Sequence, residues 1–244
     1  MTKLDSLIAE LCSDGVEYKT LNSVILSLKT GLNPRKNFAL NSNDADNYYV
    51  TVREIVDGKI VFFDKTDRVN DEALRLIGNR SNLETGDVLF SGTGTVGRIA
   101  VVKEAPKNWN IKEGVYTIKP NQEFVTSKFL AYLLGSASVV DSYKTKIVGS
   151  PVCSLPMAEL RKLSIPIPPL PVQHEIVRIL DNFTELTAEL TAELTAELTA
   201  RQKQYEYYRN YLLTFDKDAN TILTDGRTDG RTDGKVGDIR RDSD

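Results

Sequence analysis

The chain has 244 residues, 41% apolar and 27% charged, and its 31 basic against 34 acidic side chains leave a formal charge of -3. Those proportions describe one or two globular domains and exclude collagen-like or wholly disordered chains. The apolar runs are only a few residues long, far short of the ~20 that a membrane helix needs, so no membrane association is expected.

The start, Met1-Thr2-Lys3-Leu4-Asp5, lacks the apolar stretch of a secretory signal, and a cytoplasmic location is expected. Cys12 and Cys153 each lie near apolar residues and are predicted to be buried free thiols of a reducing compartment. Five strands are predicted: Tyr48–Val52, Lys59–Phe63 after the turn Asp57-Gly58, Asp87–Phe90, Arg98–Val102 and Val115–Ile118. Two short helices are predicted at Asp71–Leu76 and Ser127–Leu134, the second with Phe129, Leu130, Leu133 and Leu134 on one face. Short strands with few helices between them indicate an α+β fold: a mixed α/β domain over residues 1–170 around a largely antiparallel sheet.

The domain ends in Ser164-Ile165-Pro166-Ile167-Pro168-Pro169-Leu170-Pro171, whose prolines forbid a continuing helix or a central strand and give a stiff, extended exit. Pro171 suits the first turn of a long helix predicted from about Val172 to Thr214, within a segment, residues 171–214, that has no glycine. A helix of that length cannot bury its apolar stripe against one small domain and calls for a second helix. Ile176, Leu180, Phe183, Leu186 and Leu190 step by three or four, as a packing seam should. Leu186, Leu190, Leu194 and Leu198 then recur every four residues with Thr-Ala-Glu between them, each leucine ~40° further round the helix. Tyr205, Tyr208 and Leu212 resume the three-and-four spacing. Residues 215–244, with three successive Thr-Asp-Gly units from Thr224, are polar and predicted to be disordered.

Gly92-Thr93-Gly94-Thr95-Val96-Gly97 matches the dinucleotide pattern G-x-G-x-x-G, but a strand follows it instead of a helix, and no Asp stands about twenty positions on, only Lys119 and Pro120. The run is predicted to be a tight hairpin that exposes Thr93, Thr95 and Arg98. His174 is the single histidine, and no nucleophile or metal-ligand spacing accompanies it, so no catalytic site and no metal site are expected. Three clusters read as polar loops that could face DNA: Lys29, Asn33, Arg35, Lys36 and Asn37; Asn43, Asn47, Tyr48 and Tyr49; and Tyr143-Lys144-Thr145-Lys146. Arginine and lysine suit guanine edges, and asparagine suits adenine.

Gly86–Val102, Tyr143–Leu160 and above all the run from Ile165 to Asp181, with Gln173, Ile176, Val177, Leu180 and Asp181 in place, resemble the specificity subunit of Type I restriction-modification enzymes. The Thr-Ala-Glu-Leu repeat looks like the variable central spacer of one branch of that family, and the resemblance spans about residues 12–214. It implies a non-catalytic subunit that binds no cofactor itself. Residues 1–170 would be a target recognition domain reading half of a bipartite double-stranded DNA site through the major groove. Methyltransferase subunits would carry S-adenosylmethionine and modify adenines. Translocase-nuclease subunits would use ATP and Mg.

A full subunit of that family has two recognition domains and two helical regions, whereas this sequence shows one of each and looks like an N-terminal half. A second copy would supply the missing helix in an antiparallel coiled coil seamed by Ile176, Leu180, Phe183, the four repeat leucines, Tyr205 and Leu212. Two-fold symmetry would then require inverted half-sites. The alternatives are a coiled-coil scaffold or adaptor that dimerises without DNA specificity, and a small-molecule or nucleotide enzyme, which would need the glycine loop to cradle phosphate.

Overall fold

A computed structural model describes residues 2–34 and 37–214. In chain order the elements are α1 (Lys3–Leu11), β1 (Tyr18–Thr20), β2 (Ile25–Thr30), β3 (Asn47–Val50), β4 (Ile55–Val56), β5 (Lys59–Ile60), β6 (Arg68–Val69), α2 (Asp71–Ser81), β7 (Val88–Ser91), β8 (Ile99–Val101), β9 (Trp109–Ile111), β10 (Val115–Pro120), α3 (Ser127–Leu134), α4 (Ala137–Lys144), α5 (Met157–Arg161), β11 (Ser164–Pro166) and α6 (Leu170–Leu213). The described residues divide into two compact units, the first ending at Asn182 and the second beginning at Phe183. The architecture is a mixed α/β unit followed by one long helix.

In the first unit an antiparallel sheet runs in the order β2-β10-β7-β8. All four residues of β7 are buried, and their side chains alternate between two cores. Val88 and Phe90 point into a cluster with Ile118, Leu130, Leu134, Leu155 and Leu160, while Leu89 joins Val50, Ile55, Ala100 and Ile111 on the opposite face. A second sheet, β6-β3-β9, is mixed, because β3 pairs parallel with β9. Asn70 caps α2 by accepting from Ala73 N at 3.0 Å, and Thr126 caps α3 from Phe129 N, contacts worth about 1 kcal/mol each. The proline-rich exit is extended, and its β11 pairs antiparallel with β1, binding the start of the chain to its exit.

Several sequence-based expectations are corrected. The strand predicted over Lys59–Phe63 ends at Ile60, and Phe62 and Phe63 lie exposed beyond it. The helix predicted to Leu76 continues to Ser81, where Asn82 closes it in the left-handed conformation. Lys29 is in β2 rather than a loop, and Tyr143 and Lys144 end α4. Cys12 is buried as expected, but Cys153 is exposed, because it sits in the surface segment between α4 and α5. The predicted tail, residues 215–244, lies outside the described residues.

α6 is continuous over 44 residues and starts two positions earlier than predicted, with Pro171 in its first turn. In the second unit each repeat threonine, Thr187, Thr191, Thr195 and Thr199, donates its hydroxyl to the carbonyl four residues back at 2.7–2.8 Å. Phe183, the four repeat leucines, Tyr205, Tyr208 and Leu212 are all more than half exposed. Among the described residues no helix is long and apolar enough to cross a membrane.

Candidate nucleic-acid interface

The glycine-rich run is a turn joining antiparallel β7 and β8. Ser91 closes it: its hydroxyl donates to Thr95 O at 2.6 Å and accepts from Arg98 N at 2.7 Å. Gly92 is required because a Cβ there would lie 2.1 Å from the Tyr116 ring. Gly97 has φ +93° and abuts the Tyr143 hydroxyl, so a side chain would meet both strain and a clash. The turn is also tied to the segment before α5. Gly94 N donates to Cys153 O at 2.8 Å, Leu155 N donates to Gly92 O at 2.8 Å, and the Thr93 and Ser154 hydroxyls are 3.2 Å apart.

Beside the turn a cleft of about 410 Å³ is lined by Thr51, Arg53, Asp67, Thr93, Lys112 and Glu113, among others. Its charges are balanced, and Arg53 Nη2 sits 3.0 Å from Asp67. Beneath its rim Glu54 is buried, accepting from Thr51 N at 2.8 Å, Thr51 Oγ1 at 2.6 Å and Thr66 Oγ1 at 3.2 Å. That satisfied carboxylate fixes the backbone carrying Thr51 and Arg53.

A second surface lies on the mixed sheet. Tyr48 faces Arg68 on one neighbouring strand and Trp109 on the other. The Arg68 guanidinium is 4.5 Å from the Tyr48 ring centroid, and Phe62 stacks on Tyr48 with centroids 4.2 Å apart. Sequence reasoning missed Arg68, Phe62 and Trp109. Strand pairing brings Arg68 and Trp109 to Tyr48 from distant segments, and Phe62 reaches it from the loop after β5, its exposure hidden inside a predicted strand.

The structure brings the Thr93–Arg98 turn against Tyr143 at the end of α4. Thr95 and Arg98 are exposed, and Thr93 is half-buried. The Arg98 guanidinium donates to the carbonyls of Val52 at 3.1 Å and Ile55 at 3.3 Å. Lys144 pairs with Asp141 at 3.1 Å, and Lys146 is exposed. Asn47 stands apart from the turn. It is buried, and its amide donates to Asp71 Oδ1 at 2.8 Å and Val69 O at 3.3 Å. Lys29 is half-buried opposite Thr117; Asn33 accepts from the exposed Asn37 through its carbonyl at 2.8 Å. Arg35 and Lys36 lie outside the described residues.

The exit into α6 is built around two buried polar side chains. Gln173 donates to Phe124 O at 2.7 Å and Pro168 O at 2.8 Å and accepts from Thr126 N at 3.0 Å. Glu175 takes two hydrogen bonds from Arg178, at 3.0 and 2.6 Å, and an ion pair from Lys3 at 3.1 Å. The Arg178 hydrogen bonds outweigh burial and, with Lys3, hold its carboxyl down at about 2. Burial pushes Asp181 up, but hydrogen bonds from Lys128 and Tyr132 prevail and keep it below the ordinary carboxylate range.

Comparison with known proteins gives a consistent picture. Residues 13–200 match the family described as Type I restriction modification DNA specificity domain. The chain is 32% identical over 218 residues to the type I restriction enzyme EcoprrI specificity subunit of Escherichia coli, covering 86% of this chain and 53% of that one. It is 38% identical over 95 residues to the EcoR124I/EcoR124II specificity subunit of Escherichia coli, covering 39% and 24%. The chain thus spans about half the length, or less, of these relatives. Its fold is similar to that of a solved chain from the type I R-M system, with TM-score 0.56, 20% identity and coverage of 83% and 48%.

Proposed function

The chain belongs to the family of Type I restriction-modification DNA specificity domains, and from that premise we propose that it reads one half of a bipartite DNA site per protomer and performs no chemistry itself. Methyltransferase subunits carrying S-adenosylmethionine, and ATP- and Mg-using translocase-nuclease subunits, are its proposed partners. Residues 1–170 form the proposed target recognition domain. Two copies pair through α6 as an antiparallel coiled coil, and together they present two identical reading surfaces.

The observation that carries this reading is the 44-residue helix that follows the α/β unit, whose repeat leucines are all more than half exposed. An exposed stripe of that extent marks an interface. The proposed DNA contacts are Lys29, Asn33, Asn37, Tyr48, Thr93, Thr95, Lys144 and Lys146, with Arg68 and Phe62 added beside Tyr48. Asn47 and Arg98, whose polar groups are committed to internal hydrogen bonds, shape the surface instead.

Selection from randomised duplex DNA, with the chain bound to its methyltransferase partner, tests the reading. An inverted repeat with a fixed gap is expected. An unenriched pool from an assembled complex would leave the helix as an assembly module without DNA specificity.

A further inference from the structure

The apolar positions of α6 follow an order that the repeat conceals. Read outward from Leu194, the residues of the seam stripe mirror one another. Leu190 corresponds to Leu198, Phe183 to Tyr205, Leu180 to Tyr208 and Ile176 to Leu212. The neighbouring pair Val177 and Tyr211 obeys the same mirror. Gln202, opposite Leu186, breaks the stripe, and off it Ile179, Tyr207 and Leu213 stand opposite Arg209, Asp181 and Glu175.

The steps also balance. Three-residue steps drift one way round a helix and four-residue steps drift the other. Three-residue steps occur in both arms, and uninterrupted four-residue steps occupy the middle. Counting the place of Gln202, ten steps carry the stripe from Ile176 to Leu212, about 3.6 residues each, the pitch of a straight α-helix.

Resting on the reading that two copies pair through α6, we propose a specific register: the two helices lie antiparallel as straight rods, with the two-fold axis at Leu194. A palindromic stripe is what a two-fold axis across an antiparallel pair demands, since each protomer's first half then meets the other's second half. Sliding by one repeat in either direction would put Phe183 against Arg201 or Arg209, placing a charge in the seam.

The first unit offers a receptor for the far end of the partner helix. An apolar cleft of about 350 Å³ is lined by Ile8, Phe129, Leu133, Val172, Ile176 and Leu180, among others. In the proposed register it receives the partner's Tyr208 and Leu212. Those residues are 51% and 53% exposed in the single chain.

The test measures distances between equivalent spin labels in the full chain, with Cys12 and Cys153 replaced by serine. Single cysteines are placed at Ala188, Ala192, Ala196 and Ala200. Equivalent positions in an antiparallel pair separate along the axis by about 3 Å for each residue from the centre. Labels at 192 and 196 should therefore give short, nearly equal distances, and labels at 188 and 200 longer, nearly equal ones. A sedimenting dimer with its minimum elsewhere, or with one distance at every position, overturns the register and leaves pairing intact. A monomer at all concentrations overturns the pairing itself. As an unlabelled check, Gln202→Leu completes the stripe and should tighten the dimer about tenfold or more; unchanged dissociation would contradict the seam.

Discussion

Gln173 joins three pieces of chain at the base of α6, holding Phe124, Thr126 and Pro168 through one amide group, and it is fully buried. Gln173→Leu keeps the volume but strands two carbonyls and one N–H. Each unsatisfied group costs about 1–3 kcal/mol, so a loss of about 3 kcal/mol in urea unfolding is expected even if water reaches some of them. A loss below about 1 kcal/mol would mean that the joint re-forms around the leucine. Two residues on, Glu175 predicts a pH dependence. Its folded carboxyl titrates at about 2 against an ordinary 4.5. A depressed carboxylate contributes stability in full above the unfolded value, and that contribution disappears as pH falls from about 4.5 towards 2. The chain should lose stability across that window, and Glu175→Gln should flatten the acid limb of a thermal-melting profile. An unchanged slope in the variant would show that the Arg178 and Lys3 contacts do not set it.

At the scale of the element, the repeat is self-contained. Each threonine hydroxyl bonds within the helix, so a whole Thr-Ala-Glu-Leu unit can be removed without stranding a polar group. Deleting Thr195–Leu198 shortens α6 by ~6 Å and turns the rest of the helix by ~40°. The expected result in DNA selection is a shorter gap between unchanged half-sites; altered half-site bases at a constant gap would contradict a spacer role. This helix was legible in the sequence because its periodicity, its proline at the start and its lack of glycine all agree. The Gly92–Gly97 turn was legible too, because a strand after the glycines excluded the nucleotide-binding reading. By contrast, β2 went unread although Ile25-Leu26-Ser27-Leu28 is apolar, since its partner β10 lies far along the chain. α4 was hidden by Ser138, Val139, Val140 and Ser142, poor helix formers that tertiary packing of Val139 and Tyr143 overrides. The Tyr48–Arg68–Phe62 surface was illegible for a related reason: strand pairing brings Arg68 to Tyr48, and ring stacking adds Phe62 from the loop after β5.

For the whole molecule, charge decides how DNA would be held. Residues 1–170 carry 21 basic and 19 acidic side chains, and several of the cations are committed internally. Arg53 binds Asp67, Arg98 binds two carbonyls, and Lys119 lies 2.7 Å from Glu84 and 3.6 Å from Asp87. A surface so nearly neutral neutralises few phosphates, and affinity falls with salt by a log–log slope of about -0.9 for each phosphate contacted. The chain alone should therefore bind duplex DNA weakly and with a shallow slope, of about two or three contacts per protomer. In the proposed complex with methyltransferase subunits the slope should steepen several-fold, because on that reading the partners would supply the backbone contacts and this chain the base recognition. Titrations of one duplex at several salt concentrations, with and without those subunits, measure both slopes directly. Equal slopes would place the phosphate grip on this chain after all, and would move attention to Lys112, Lys146 and the Arg35–Lys36 segment as its source.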